Sequence, residues 1–215
     1  VSVGVKICGV TTPETVAAAA RFGAQMVGFV FVPKSPRAIA LPVAAQLAAQ
    51  VPTGMRSVGL FVDPSDEELE AVTARVPLAL VQLHGEETPA RVAAVKSRFS
   101  LPVIKAVAVS AAADVAAAER YARVADYLLF DAKPPPNVAA LPGGNGLAFD
   151  WPLLRGAKIA RPWLLAGGLT PENVAEAVRA SGASLVDVSS GVETRPGVKD
   201  AAKIETFLRA ARAVQ

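Results

Sequence analysis

Short apolar runs alternate with longer stretches of helical period along the whole chain. The runs are rich in Val, Ile, Leu and Phe and predict strands over Val3–Cys8, Met26–Phe31, Arg56–Phe61 and Leu78–Leu83. Four more fall at Val103–Val107, Tyr127–Asp131, Trp163–Ala166 and Leu185–Val188. Between and after them, apolar spacing predicts helices over Pro13–Phe22, Pro42–Gln50, Ser65–Arg75, Thr88–Ser97, Ala111–Ala122, Pro171–Ala180 and Lys199–Val214, with a short one at Asp150–Leu154. Several carry start signals. Thr12 and Thr170 each cap ahead of a proline, and Asp63-Pro64-Ser65-Asp66 places acids at a helix's positive end.

The strands are apolar throughout rather than alternating, which suits a parallel sheet covered on both faces. Eight strand–helix repeats favour a single (β/α)8 TIM barrel over a five-stranded open sheet, and the length of 215 residues is near the lower end for that barrel. The expected organisation is therefore one catalytic domain over residues 1–215. One connection is long: 132–149 contains Pro134-Pro135-Pro136 and then Leu141-Pro142-Gly143-Gly144-Asn145-Gly146. Loops of that length inside compact domains are often functional.

Composition narrows the partners. With 52% hydrophobic and 19% charged residues the chain can bury a large core. Its net charge of +3 is mild and dispersed, which argues against a nucleic-acid surface and is compatible with a small anionic ligand. The amino terminus lacks a basic start followed by a long apolar stretch, and the longest uncharged stretch, Ala38–Met55, is broken by two prolines, two glutamines and a glycine. No membrane association is expected, and the location expected is cytoplasmic.

In such a barrel the carboxyl ends of the strands face the active site. Those positions carry Cys8, the loop Pro33-Lys34-Ser35-Pro36-Arg37, Asp63, Gln82 and His84, Lys105, Asp131 and Lys133, Gly167-Gly168, and Asp187 through Gly191. Glycine pairs let backbone N–H groups converge on an anion, and the loops after strands seven and eight commonly form a phosphate site. The clusters at Gly143–Gly146, Gly167-Gly168 and Ser190-Gly191 therefore point to a phosphorylated ligand. His84 is the sole histidine, so a multi-histidine metal site is excluded, and no nucleophile-elbow pattern supports a serine hydrolase. Cys8 is the sole cysteine, so an intramolecular disulfide is impossible. A lone cysteine is most often an inert small hydrophobe. Here, however, it faces Asp131 across a closed ring, and two protonable groups so placed suit an isomerisation.

These residues fall into a set of motifs. Lys6-Ile7-Cys8-Gly9-Val10-Thr11 resembles the first-strand motif of the phosphoribosylanthranilate isomerase family. So do Gly28–Phe31 with Ser35-Pro36-Arg37, Val58–Asp63, Val81–Gly85, Leu129–Asp131, Gly143–Gly146 with Phe149–Trp151, Leu165–Leu169 with Asn173, and Val186–Glu193. They occur in the family's order over nearly the whole chain.

The resemblance implies a cofactor-free, metal-free aldose–ketose isomerase of tryptophan biosynthesis. Its reaction is the Amadori rearrangement of N-(5-phosphoribosyl)anthranilate to 1-(2-carboxyphenylamino)-1-deoxyribulose 5-phosphate. It implies Asp131 as the general acid that opens the furanose ring and Cys8 as the general base that removes the C2 proton. Arg37 is then the candidate for the anthranilate carboxylate, since a guanidinium matches that geometry. The backbone around Gly144, Asn145, Gly146, Gly167, Gly168, Ser189, Ser190 and Gly191 is the candidate phosphate site, and His84 lines the pocket. Leu147 departs from the family pattern, where a polar residue is frequent, whereas Lys133 agrees with it. The expected partner is a small phosphosugar, with the chain as monomer or homodimer.

Three other readings compete. A histidine-pathway aminoaldose isomerase typically has aspartate on the first strand, where this chain has Cys8. A phosphosugar-binding barrel without catalysis would not need both Cys8 and Asp131. A metal-dependent epimerase lacks its histidine ligands here.

Overall fold

A computed structural model describes residues 3–134 and 146–214. Eight parallel strands close into a barrel in sequence order: β1 (Gly4–Cys8), β2 (Met26–Val30), β3 (Arg56–Phe61), β4 (Leu80–Leu83), β5 (Val103–Val109), β6 (Tyr127–Ala132), β7 (Trp163–Leu165) and β8 (Leu185–Val188). Closure is made by β8 against β1, with Lys6 level with Asp187 and Ile7 with Val188. The expected (β/α)8 barrel is the observed fold.

Successive strand residues face opposite sides, which divides the apolar side chains into two cores. Met26, Val58, Leu80, Ile104, Leu129 and Leu164 fill the barrel interior. Their neighbours, Val27, Phe29, Val81, Val103, Leu128 and Leu165, pack outward under the helices. The interior is thus a packed core and not a pore.

Helices α1 (Pro13–Arg21), α2 (Leu41–Ala49), α3 (Asp66–Thr73) and α4 (Pro89–Phe99) return the chain to each next strand. Local chemistry sets their starts. Ser65 Oγ accepts the Glu68 N–H at 3.2 Å while Glu68 Oε2 accepts the Ser65 N–H at 2.8 Å, satisfying two otherwise orphaned donors. The helix expected over Ala111–Ala122 is instead two pieces, α5 (Ala112–Ala117) and α6 (Glu119–Ala122). In α6, Tyr121 points inward and its hydroxyl donates to the Glu87 carbonyl at 3.0 Å.

The seventh helix, α7 (Val174–Ser181), begins three residues later than Pro171. Asn173 explains the delay. Its Oδ1 accepts the Thr170 N–H at 2.8 Å and its amide donates to the Gly168 carbonyl at 2.9 Å, so this turn supports the glycine loop before the helix starts. Residues Trp151–Leu154 form one turn of 3-10 helix, and α8 (Ala201–Arg212) closes the chain. A two-stranded hairpin, β9 (Glu193–Arg195) with β10 (Val198–Lys199), was not expected from the sequence. No helix among the described residues is long and apolar enough to cross a membrane.

Candidate active site

One cavity opens at the carboxyl ends of the strands. Cys8, Arg37, His84, Asp131 and Asp187 line it, together with Gly146, Gly167, Gly168, Ser189 and Ser190. Most of the sequence-predicted site residues therefore meet in one place. Gly144 and Asn145 lie outside the described residues.

Cys8 ends β1 and is 4% exposed. Its backbone carbonyl accepts the Ser189 hydroxyl at 3.1 Å, which ties the first strand end to the last. Burial pushes the thiol above the ordinary cysteine range, Lys6 and Lys199 oppose that shift, and Asp187 adds to it. Lys6 lies two residues before Cys8 on the same face of β1 and is 1% exposed. Its Nζ donates to Asp187 Oδ1 at 2.8 Å. Burial alone would lower the Lys6 ammonium, yet Asp187 and the thiol together hold it above the usual lysine range.

Asp131 stands on β6, in the same cavity. Its Oδ1 accepts the Ala132 N–H at 2.8 Å and its Oδ2 lies 3.2 Å from His84 Nε2. Behind the imidazole, Gln82 Nε2 is 2.8 Å from His84 Nδ1. With the Gln82 amide N–H on Nδ1, that ring nitrogen is the acceptor and Nε2–H points at Asp131. Gln82 is fully buried, and its Oε1 has no hydrogen-bond partner among the described residues.

Arg37 is held by the segment after β8, the strand on the other side of β1 from its own β2. Its Nε donates to Glu193 Oε1 at 2.8 Å and its Nη2 to Glu193 Oε2 at 2.9 Å. Lys199 Nζ donates to the same Oε1 at 2.5 Å. Burial would raise the Glu193 carboxyl, but these two cations draw it below its ordinary range. The hairpin that carries Glu193 and Lys199 packs on the Arg37 loop, where a side chain at Gly197 would strike the Pro36 carbonyl. Gly9, at φ +80°, gives Arg37 room, since a Cβ there would lie 2.8 Å from Arg37 Cδ.

The glycine loops are shaped by close approach. Gly167 and Gly168 both have positive φ, and a Cβ on Gly168 would lie 2.8 Å from the Leu147 carbonyl carbon. Leu147 lines the cavity here, and its backbone packs against that glycine. Gly191 is not among the lining residues. It permits the Leu169 carbonyl to sit where a side chain would otherwise be.

Two strand-end residues serve elsewhere. Lys105 is 1% exposed and donates to Glu87 Oε2 at 2.7 Å and the Gly85 carbonyl at 2.6 Å, fixing the loop after β4. Asp63, at φ +45°, accepts the Glu86 N–H at 2.8 Å in the same network. Both line a second cavity on the far side of His84 and Asp131, as does Lys133.

Sequence reasoning passed over Lys6, Glu193 and Lys199 as functional groups. The first had a signal: strand period two puts residue 6 on the face of residue 8. The other two belong to a short polar hairpin without an apolar pattern.

A closed eight-stranded parallel barrel with its polar cavity at the strands' carboxyl ends defines a (β/α)8-barrel enzyme. A model of the family "N-(5'phosphoribosyl)anthranilate (PRA) isomerase" matches residues 5–210, and the chain belongs to that family. It is 61% identical over 212 residues to N-(5'-phosphoribosyl)anthranilate isomerase of Paracoccus denitrificans, covering 99% of this chain and 98% of the relative. Among solved structures, it resembles phosphoribosyl anthranilate isomerase from Thermotoga maritima with 39% identity and a TM-score of 0.87, over 97% of this chain and 98% of that one. A structure of phosphoribosyl anthranilate isomerase with reduced 1-(o-carboxyphenylamino)-1-deoxyribulose 5-phosphate is 38% identical, with a TM-score of 0.84 over the same shares. The chain is thus an aldose–ketose isomerase of this family.

Proposed function

We propose that this isomerase rearranges N-(5-phosphoribosyl)anthranilate to 1-(2-carboxyphenylamino)-1-deoxyribulose 5-phosphate with Asp131 as general acid and Cys8 as general base. The observation that carries the reading is that both groups line one cavity together with Arg37 and the glycine loops.

Asp131 gives its proton to the furanose ring oxygen; the C1–O bond breaks and the nitrogen lone pair forms the iminium. The carboxylate left behind accepts the His84 Nε2–H at the contact already in place. The Cys8 thiolate then removes the proton from C2, the C–H electrons form the C1=C2 double bond, and the C=N pair returns to nitrogen, giving the enolamine. Tautomerisation gives the ketone. Burial disfavours this thiolate in the free enzyme; the iminium cation formed beside it offsets that effect and acidifies the proton it takes.

Arg37 binds the anthranilate carboxylate from a guanidinium oriented by Glu193. Gly146, Gly167, Gly168, Ser189 and Ser190 hold the phosphate from the other rim, an arrangement common to barrel loops after β7 and β8. Gly144 and Asn145 join them in this reading, and Gly191 contributes by allowing the loop's close packing.

Substrate deuterated at C2 of the sugar tests the base step. Single-turnover decay of the enolamine precursor slows relative to unlabelled substrate in this account. Equal rates in a mutant slowed at the base, Cys8→Ser, would remove the thiol from that step.

A further inference from the structure

A lysine and an aspartate inside a barrel need an explanation. Lys6 lies beside an apolar interior: its partner across the ladder on β2 is Met26, which clusters with Leu80, Ile104 and Leu164. A buried ion pair is weak evidence of stability, since well-packed apolar residues often serve as well. Lys6 and Asp187 are nonetheless joined at 2.8 Å, level with each other on β1 and β8, directly beneath the strand end that carries Cys8.

Gly28 marks where these groups converge. It is level with Cys8 on β2, and a Cβ there would lie 3.0 Å from Cys8 Sγ and 3.2 Å from Lys6 Nζ. The thiol and the ammonium therefore both border the space that a side chain at Gly28 would fill. That same ammonium donates to Asp187 Oδ1 at 2.8 Å.

We propose that Lys6 is a positioning residue whose buried ammonium stabilises the Cys8 thiolate, and that Asp187 keeps Lys6 charged and limits that effect. The proposal takes its catalytic meaning from the reading of Cys8 as base. Its test reads the thiol itself.

Each neighbour has a defined sign. Lys6 and Lys199 favour the thiolate, whereas Asp187 and burial oppose it. His84, Asp131 and Arg37 face the same cavity and stay constant through the comparison. Removing the cation and removing the anion must then act in opposite directions, which a purely structural pair would not do.

The protein has a single cysteine, so thiolate ultraviolet absorbance against a Cys8→Ser reference follows Cys8 alone. The rate of modification by iodoacetamide provides a second readout. Lys6→Met should move thiol ionisation to higher pH and slow alkylation near neutral pH by about tenfold or more, the lower end for loss of a charge in contact. Asp187→Asn should move it to lower pH and speed alkylation. The double variant Lys6→Met/Asp187→Asn should fall between the two.

Titrations that do not move, or that move the same way in both single variants, overturn the proposal. If Lys6→Met does not fold, Asp187→Asn is compared with the double variant, and equal titrations overturn it equally. Failure of the base assignment looks different: Cys8→Ala would then turn over normally whatever the thiol titration shows.

Discussion

Arg37 and Glu193, 156 residues apart, are joined by two parallel hydrogen bonds of 2.8 and 2.9 Å. The pair sets the guanidinium's plane before any substrate arrives. Arg37→Ala should raise KM by about tenfold or more, in line with loss of a charge-assisted hydrogen bond, with a smaller effect on kcat. Glu193→Gln removes the charge and leaves one acceptor oxygen for Arg37 and Lys199, and should raise KM by less. Steady-state kinetics on both variants checks the ordering; an unchanged KM in Arg37→Ala would dismiss the carboxylate contact.

The same carboxylate gives a pH dependence of stability. Arg37 and Lys199 hold Glu193 below its ordinary range in the folded chain against the opposing effect of burial. A depressed folded value means that the stabilisation is present above the unfolded carboxylate range and is lost as pH falls through the folded one. Urea unfolding across acidic pH should show a shallower loss for Glu193→Gln than for wild type. Parallel acid slopes would contradict the assignment.

Gly28 offers a test by addition. Gly28→Ala inserts a methyl between the thiol and Lys6, where overpacking costs about 1–3 kcal/mol. Turnover should fall while circular dichroism shows the barrel intact. Full activity would mean that the Cys8–Lys6 arrangement is not needed.

The barrel was legible because its strands are uninterrupted apolar runs bounded by turn residues. The runs at Arg56–Phe61 and Leu185–Val188 match the observed strands residue for residue. Where the expectation slipped, a distant or polar contact prevailed. Asn173 used the turn after Pro171 to hold the Gly168 loop, delaying α7. Lys105 has the right position for a site residue, but Glu87 claims it. The hairpin over Glu193–Lys199 is too short and polar to show a period, so its grip on Arg37 could be found only in three dimensions. Cys8, Asp131, His84 and the glycine pair at 167–168 were visible because strand ends are where a barrel gathers its chemistry.

The Gln82–His84–Asp131 chain predicts a graded series. Gln82→Leu removes the donor on Nδ1 and frees the imidazole to change tautomer. It should reduce kcat by about tenfold, within the penalty of one disturbed hydrogen bond. His84→Ala should do at least as much, and Asp131→Asn far more, about 100- to 10,000-fold as expected for loss of a general acid. An Asp131→Asn enzyme no slower than Gln82→Leu would invert the roles.

The most direct measurement is the fluorescence decay of freshly generated N-(5-phosphoribosyl)anthranilate with wild type, Cys8→Ala and Asp131→Asn side by side. The account predicts rapid enzyme-dependent decay for wild type and decay slowed by about 100-fold or more for both variants. Rapid decay with either variant would contradict the central claim that Asp131 and Cys8 carry the two proton transfers.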